Sequence, residues 1–250
     1  MADSKIRDSQ NLWSPTITLV FAYYENPGML EFQWRKISQY STRVKERLEV
    51  IVVDDGSPTF PGASVIVADG QPSHAVFRIA QDVRWNQDAA RNIGAHEASA
   101  PWLLLTDIDH VVPNETLEYL LDMDANPEAF YTFARIKYDD GDPRESHPNS
   151  YFMSKALYWR IGGHDEDFAG IYGKDFLFRK RAHKIAQEIK LDGLPLARVG
   201  TASIRDAGTR TITRRNTHRS RIWGYVLPVL KALRLWRGVQ TLSYEYSRVL

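Results

Sequence analysis

Residues 102–110 read Trp-Leu-Leu-Leu-Thr-Asp-Ile-Asp-His, an apolar run that ends abruptly in two carboxylates. A short, bulky, apolar stretch of this length predicts a strand buried on both faces. The same grammar occurs twice upstream. Ile17–Tyr23 (ITLVFAY) ends near Glu25, and Leu48–Val53 (LEVIVV) ends in Asp54-Asp55-Gly56-Ser57-Pro58, a cluster of turn formers. Between these runs lie segments of helical period. Met29–Tyr40 spaces Leu30, Trp34 and Ile37 at helical intervals, and Asp88–Ala98 (DAARNIGAHEA) is rich in alanine and stopped by Pro101. A further helix is expected across Glu115–Asp122, and short strands over Ala63–Ala68 and Ala75–Ile79. Strands alternating with helices imply an α/β fold around a mostly parallel sheet. Ligands of such sheets sit beyond the carboxyl ends of the strands, which is where the acidic clusters fall.

The second half is less regular. Ala129–Lys137 reads as a strand, 139–148 as a polar loop, and Tyr151–Met153 and Gly162-Gly163 flank a short helix. Another helix is expected from Asp175 to Ile189. No repeat or flexible linker divides the chain, so one continuous domain with an extension from about residue 200 is expected.

Asp107 and Asp109, one residue apart at a strand end, can project toward a common ion. Hard divalent cations such as Mn2+ or Mg2+ favour oxygen ligands and keep contacts to substrate phosphates. A solvated turn or helix cap also favours aspartate, and only the position after a buried strand argues for the cation. Asp54 and Asp55 can accept from the imide of a pyrimidine or from a ribose hydroxyl, or simply close a turn.

Taken in order, ITLVFAYYE (17–25), VVDDGS (52–57), ARNIGA (90–95), LTDID (105–109), GGHDEDF (162–168) and GIYGKD (170–175) resemble the family 2 glycosyltransferases of the GT-A fold. The likeness covers roughly residues 16–180. It implies a metal-dependent, inverting transferase that moves a sugar from a nucleotide-diphosphate donor, with UDP favoured, to a hydroxyl acceptor. A glycan or lipid-linked glycan is the expected acceptor, and a hydroxylated base of DNA is the alternative. By the same resemblance Asp55 reads the base, Asp54 supports its loop, and Ala22, Tyr23 and Glu25 pack around the nucleoside. Asp107 and Asp109 form the D-x-D motif, with Asp109 on the metal, and Asp175 is the catalytic base. Arg91 is placed near the nucleotide, although a surface Arg pairing with Asp88 or Glu97 fits its sequence equally. Gly163, Asp165 and Glu166 are expected near the acceptor or diphosphate.

Two positions depart from the family pattern. Lys174 stands where an acidic residue often precedes the base, which suggests a depressed Asp175 pKa or an anionic acceptor. His164 replaces a commoner aromatic and reads most simply as a packed side chain.

Composition narrows the classes. With no cysteine among 250 residues, a disulfide framework and thiolate zinc sites are excluded. There is no run of 18 apolar residues and no apolar leader, so a cytoplasmic location is expected, with the inner membrane face or a virus-infected host cell as variants. The net charge of +1 conceals an asymmetry. From Arg198 onward eleven basic residues face two acidic ones, +9, leaving 21 basic against 29 acidic before it, −8. Such a split suggests an anionic partner for the C-terminal part.

Residues 209–221 (TRTITRRNTHRSR) hold five arginines and His218. By analogy with lids of GT-A enzymes, His218 is a candidate metal ligand and Arg214 and Arg215 are candidate diphosphate contacts. Ile222–Arg237 has helical spacing with interspersed cations, and lies on an anionic membrane, docks on the protein's own sheet, or makes non-specific contact with a nucleic-acid backbone. The expected organisation is thus a GT-A domain over 1–200, with a donor half at about 16–112 and an acceptor half at about 113–200, and a basic lid or helical extension over 201–250. A non-catalytic nucleotide-sugar binder of the same fold is the rival class. A nucleotidyltransferase is disfavoured because residues 22–28 hold no Gly-rich phosphate loop.

Overall fold

The computed structural model describes residues 16–83, 85–147, 149–174, 176–204 and 218–250, with the side chains of 218–221 left aside. Strand β1 (Ile17–Tyr23) lies centrally, parallel to β2 (Leu48–Asp54) on one side and β4 (Trp102–Asp107) on the other. β3 (Ser73–Ile79) pairs in parallel with the outer edge of β2. Alternation along β1 builds two cores, because successive side chains point to opposite faces. Ile17, Leu19, Phe21 and Tyr23 pack with Met29, Leu30, Trp34 and Ile37 of helix α1 (Pro27–Ile37). On the other face, Val20 packs with Ala89, Ala90 and Ile93 of α3 (Gln87–Glu97). Gly94 makes that approach close, since a Cβ there would stand 2.2 Å from Val20 Cγ1. Short α2 (Thr42–Arg47) leads into β2.

The expected strand over 63–68 does not form. Pro61 and Gly62 open a 3-10 turn over Gly62–Ser64 instead, and the Gly62 amide donates to Asp54 Oδ2 at 2.8 Å.

Beyond β4 the sheet changes direction. β5 (His110–Val111) and α4 (Asn114–Asp122) precede β6 (Ala129–Lys137), the two-residue β7 (Pro143–Arg144), β8 (Tyr151–Ser154) and α5 (Lys155–Arg160). β8 lies antiparallel between β4 and β6. Helix α6 (Phe176–Ala182) is shorter than expected, and residues 187–198 form β9 (Gln187–Arg198), parallel to β6. Pro195 lacks an N–H for the ladder, and it falls where the register jumps from Phe133↔Leu191 to Arg135↔Leu196.

The C-terminal part is more than a helical appendage. Helix α7 (His218–Ala232) is followed by an irregular stretch and by β10 (Tyr246–Arg248), which adds an antiparallel strand to the edge of β3. The order across the sheet is β10-β3-β2-β1-β4-β8-β6-β9-β5, with β7 hairpinned on β6. This is the expected α/β architecture, its sheet parallel through β3-β2-β1-β4 and mixed beyond.

Candidate functional site

The register brings two acidic strand ends to either side of β1. Tyr23 pairs with Asp54 across β1 and β2, while Ala22 pairs with Asp107 across β1 and β4. Both ends lie at the carboxyl edge of the parallel strands, the usual ligand edge of such sheets, but Tyr23 and Ala22 point to opposite faces, so Asp54 turns toward its own loop while Asp55, one residue on, and Asp107 both meet the N-terminal turn of α3.

The Asp54 end is a built loop. Asp54 is buried, and its oxygens accept from the amides of Ser57 and Gly62, both at 2.8 Å. Glu25 Oε1 accepts from the amides of Thr59 and Phe60 at 2.7 and 2.9 Å, and Tyr23 donates to the Phe60 carbonyl at 2.6 Å. Glu25 and Tyr23 thus brace the 55–62 loop. Burial and the neighbouring Asp54 and Glu25 charges push the Tyr23 phenol far up, so it stays a donor. Gly56 has φ +72°, and a Cβ there would lie 2.7 Å from the Gln81 carbonyl, so this turn admits no side chain. Asp55 is buried next to it, and its Oδ2 accepts from the amide of Asn86 at the N-terminus of α3, at 3.0 Å.

Asp107 sits in a cationic cage. Arg91, 1% exposed on α3, donates to its Oδ1, as does Gln87 at 2.6 Å, and His147 Nε2 stands 3.2 Å from Oδ2. The Arg91 guanidinium is therefore inside the molecule and not at the surface. Burial of Asp107 works against its charge, but His147 and Arg91 outweigh it and hold the carboxyl well below the usual carboxylate range. The His147 ring packs 4.4 Å from that of buried His110. Gln87 and His147 escape sequence reasoning: one opens a helix and the other lies in a polar loop, and neither carries a local pattern.

Asp109 is bound less completely. Its Oδ2 accepts from Arg198 Nε at 3.2 Å, and buried Oδ1 takes no aligned hydrogen bond although His110 Nδ1 lies 2.7 Å away. Both Asp107 oxygens are held by Arg91, Gln87 and His147, whereas Asp109 Oδ1 makes no aligned hydrogen bond, so Asp109 fits a metal ligand better than Asp107 does. Among the described residues no three His, Asp or Glu groups converge into a complete cage. The protein would then supply few ligands and leave the rest to phosphate oxygens and water.

The GGHDEDF segment faces elsewhere. Gly163 has φ +60°, a Cβ there would stand 2.8 Å from Asn92 Oδ1, and its carbonyl accepts from Arg181. The Asn92 amide is taken up by this segment and by Tyr158 of α5. Its Nδ2 donates to the His164 carbonyl and Glu166 Oε1, and its Oδ1 accepts from the His164 amide and Tyr158 hydroxyl. His164 is a packed side chain, stacked 4.3 Å from Phe178, and burial together with Arg91 and Arg181 drives its pKa far down.

Asp165 and Glu166, expected near the acceptor or diphosphate, anchor the C-terminal segment instead. Glu166 accepts from the amides of Leu242 and Ser243 at 2.7 and 2.6 Å, and Asp165 pairs with Lys231 at 2.8 Å. Their oxygens are occupied because the chain after α7 passes directly over them. Lys174 Nζ lies 5.0 Å over the Tyr225 ring. Asp175, Arg214 and Arg215 lie outside the described residues, as does the side chain of His218.

Comparison with known proteins agrees with this architecture. The model of glycosyl transferase family 2 matches residues 19–185. Two validoxylamine A glucosyltransferases from Streptomyces hygroscopicus are 22% and 23% identical over 68% of this chain, which spans about half the length of these curated relatives. Among solved structures, S. aureus TarS 1-349 in complex with UDP-GlcNAc superposes with a TM-score of 0.63 at 15% identity, over 74% of this chain and 58% of that one. Mannosyltransferase PcManGT from Pyrobaculum calidifontis, in complex with GDP-Man and Mn2+, gives 0.55 at 18% identity, over 90% and 66%. With the ordered motifs, the aligned acidic strand ends and a family match over most of its length, the chain belongs to glycosyl transferase family 2.

Proposed function

We propose that the chain transfers a sugar from a UDP-sugar to a hydroxyl acceptor, with inversion at the anomeric carbon and with Mn2+ or Mg2+. The observation that carries this reading is that Asp55 and Asp107, from strand ends on either side of β1, both meet the N-terminal turn of α3, through Asn86 and Gln87, within a chain of this family. TarS holds UDP-GlcNAc and PcManGT holds GDP-Man, so the preference for UDP over GDP rests on the family resemblance of the motifs.

In this reading Asp55 accepts from the base imide, and Asp54, Glu25 and Tyr23 keep its loop in place. Asp109 would hold the metal, which supplies Lewis-acid neutralisation of the diphosphate as the anomeric C–O bond breaks. Asp107, kept ionised by Arg91 and His147, orients the β4 end and offers a carboxylate to the donor side. Asp175 would take the proton of the attacking hydroxyl from the face opposite the leaving group, as a general base in a single displacement. The expected acceptor is a glycan or a lipid-linked glycan, and the expected place of action is cytoplasmic.

The test is a thermal-shift screen of nucleotide sugars with and without Mn2+, followed by transfer assays and proton NMR of the product. A shift with a UDP-sugar that grows with Mn2+, and a product of inverted anomeric configuration, is expected. A retained configuration would overturn the single displacement, and shifts with no nucleotide sugar would overturn the reading as a whole.

A further inference from the structure

Helix α7 meets the body of the protein along one narrow stripe. Leu227 is buried against Phe168 and Ile171, and a Cβ on Gly224 would come within 2.9 Å of Ile171 Cγ2. Lys231 pairs with Asp165 and Asp167 at 2.8 and 2.7 Å. Positions 224, 227 and 231 share one face of a helix turning about 100° per residue. The face about 180° away carries Ile222, Val226, Val229 and Leu233, spaced i, i+4, i+7 and i+11. All four are exposed, Val229 at 55% and Leu233 at 62%, with Tyr225 beside them at 76%. Surface helices ordinarily turn such a stripe toward the core.

A cationic cleft opens on another side of α7, that of Pro228, Lys231 and Ala232. It lies between α6 and α7, has a volume of about 490 Å³, and is lined by Lys180, Lys184, Lys231 and Arg234 together with Trp236. Lys231 is neutralised by its two aspartates, but the side chains of Lys180, Lys184 and Arg234 make no ion pair among the described residues. Trp236 and Trp223 pack edge to face at 5.4 Å, and Trp236 Nε1 donates to Asp167 at 3.1 Å.

We propose that this face docks on an anionic phospholipid bilayer, with the α7 stripe entering the headgroup boundary and the cleft cations meeting lipid phosphates. An apolar stripe flanked by amphipathic Trp and Tyr rings, on a helix that also carries cations, is complementary to such an interface. A second copy of the chain is a poorer occupant, because a two-fold contact would set the same cation-bearing helix against itself. No helix among the described residues is long and apolar enough to cross a membrane, so the contact lies on the surface. Tyr225 also lies under Lys174, next to the segment that holds the proposed base. That the bilayer adjoins the acceptor side rests on the proposed function; the binding itself does not.

Sedimentation of the full chain with vesicles tests this. Binding is expected to phosphatidylcholine vesicles containing phosphatidylglycerol, weakening as salt rises, and not to phosphatidylcholine alone. Val226→Asp with Val229→Asp should lower the partition coefficient about tenfold or more, with thermal midpoint and donor affinity unchanged. Lys180→Glu with Lys184→Glu should weaken binding to the anionic vesicles while leaving the apolar stripe intact. The proposal is overturned by failure to bind anionic vesicles, by equal binding to both vesicles, or by undiminished binding of the aspartate variant. It is equally overturned if the stripe proves to hold a dimer that the aspartate variant splits, or if duplex DNA binds and vesicles do not. Donor-induced thermal shifts in the same samples report separately on the proposed function.

Discussion

The guanidinium of Arg91, wholly buried on α3, donates to Oδ1 of Asp107 at the carboxyl end of β4, and His147 closes on the other oxygen. This contact joins the helix over the sheet to the acidic edge. A buried ion pair is retained only where both charges stay matched, and losing one partner strands the other.

Replacing Arg91 with Met should therefore destabilise the fold by about 3 kcal/mol, because Asp107 is left with His147 alone of the two main cations that offset its burial. Urea denaturation of Arg91→Met against the parent protein measures this. An unchanged midpoint would mean that His147 and Gln87 suffice.

Stability should fall as the medium becomes acidic, and His164 should begin the fall. Its folded pKa is depressed, so below the ordinary histidine value of about 6.5 the unfolded chain takes up a proton that the folded one refuses. The slope approaches about 1.4 kcal/mol per pH unit for this single group. Asp107 adds to it lower down. Its carboxyl is also depressed, so its contribution is complete above about pH 4 and is lost as pH falls toward the folded value. Urea midpoints at pH 7 and 5.5 should differ in the parent protein and converge in His164→Phe. Equal pH slopes in both would show that another group is responsible.

Gly94→Ala should cost at least about 2 kcal/mol, since the added methyl would overlap Val20 and force α3 away from β1. Gly193→Ala is the matched control, having no atom within 4 Å of the added carbon and no positive φ. Thermal melts of the two variants should separate clearly.

Kinetics should divide the carboxylates by role. Asp109→Ala should remove both transfer and the Mn2+-dependent part of donor binding. Asp175→Asn should bind donor normally and lower kcat by about 10²–10⁴, the range of general-base assistance. A fully active Asp175→Asn would move the base elsewhere.

The chain's own order of residues determined the parallel α/β half and the position of its acidic strand ends. Those features are local: a strand buried on both faces reads as an unbroken apolar run, and Asp54, Asp55, Asp107 and Asp109 follow such runs directly. Arg91 was placed by its motif, but its burial was not legible, because a helical Arg among alanines reads equally as a surface residue. His147 became part of the site only through folding, since the chain carries it 40 residues past Asp107 before returning it to 3.2 Å. β9 and β10 escaped for the same reason. β9 buries only two of its 12 residues and carries Gly193 and Pro195, and β10 is three residues long, so each exists by virtue of the edge it pairs with, β6 or β3. The outward face of α7 is likewise a tertiary decision. The sequence determined that the helix has apolar positions all around it, and the contact of Gly224 and Leu227 with Phe168 and Ile171 decided which of them remain in water.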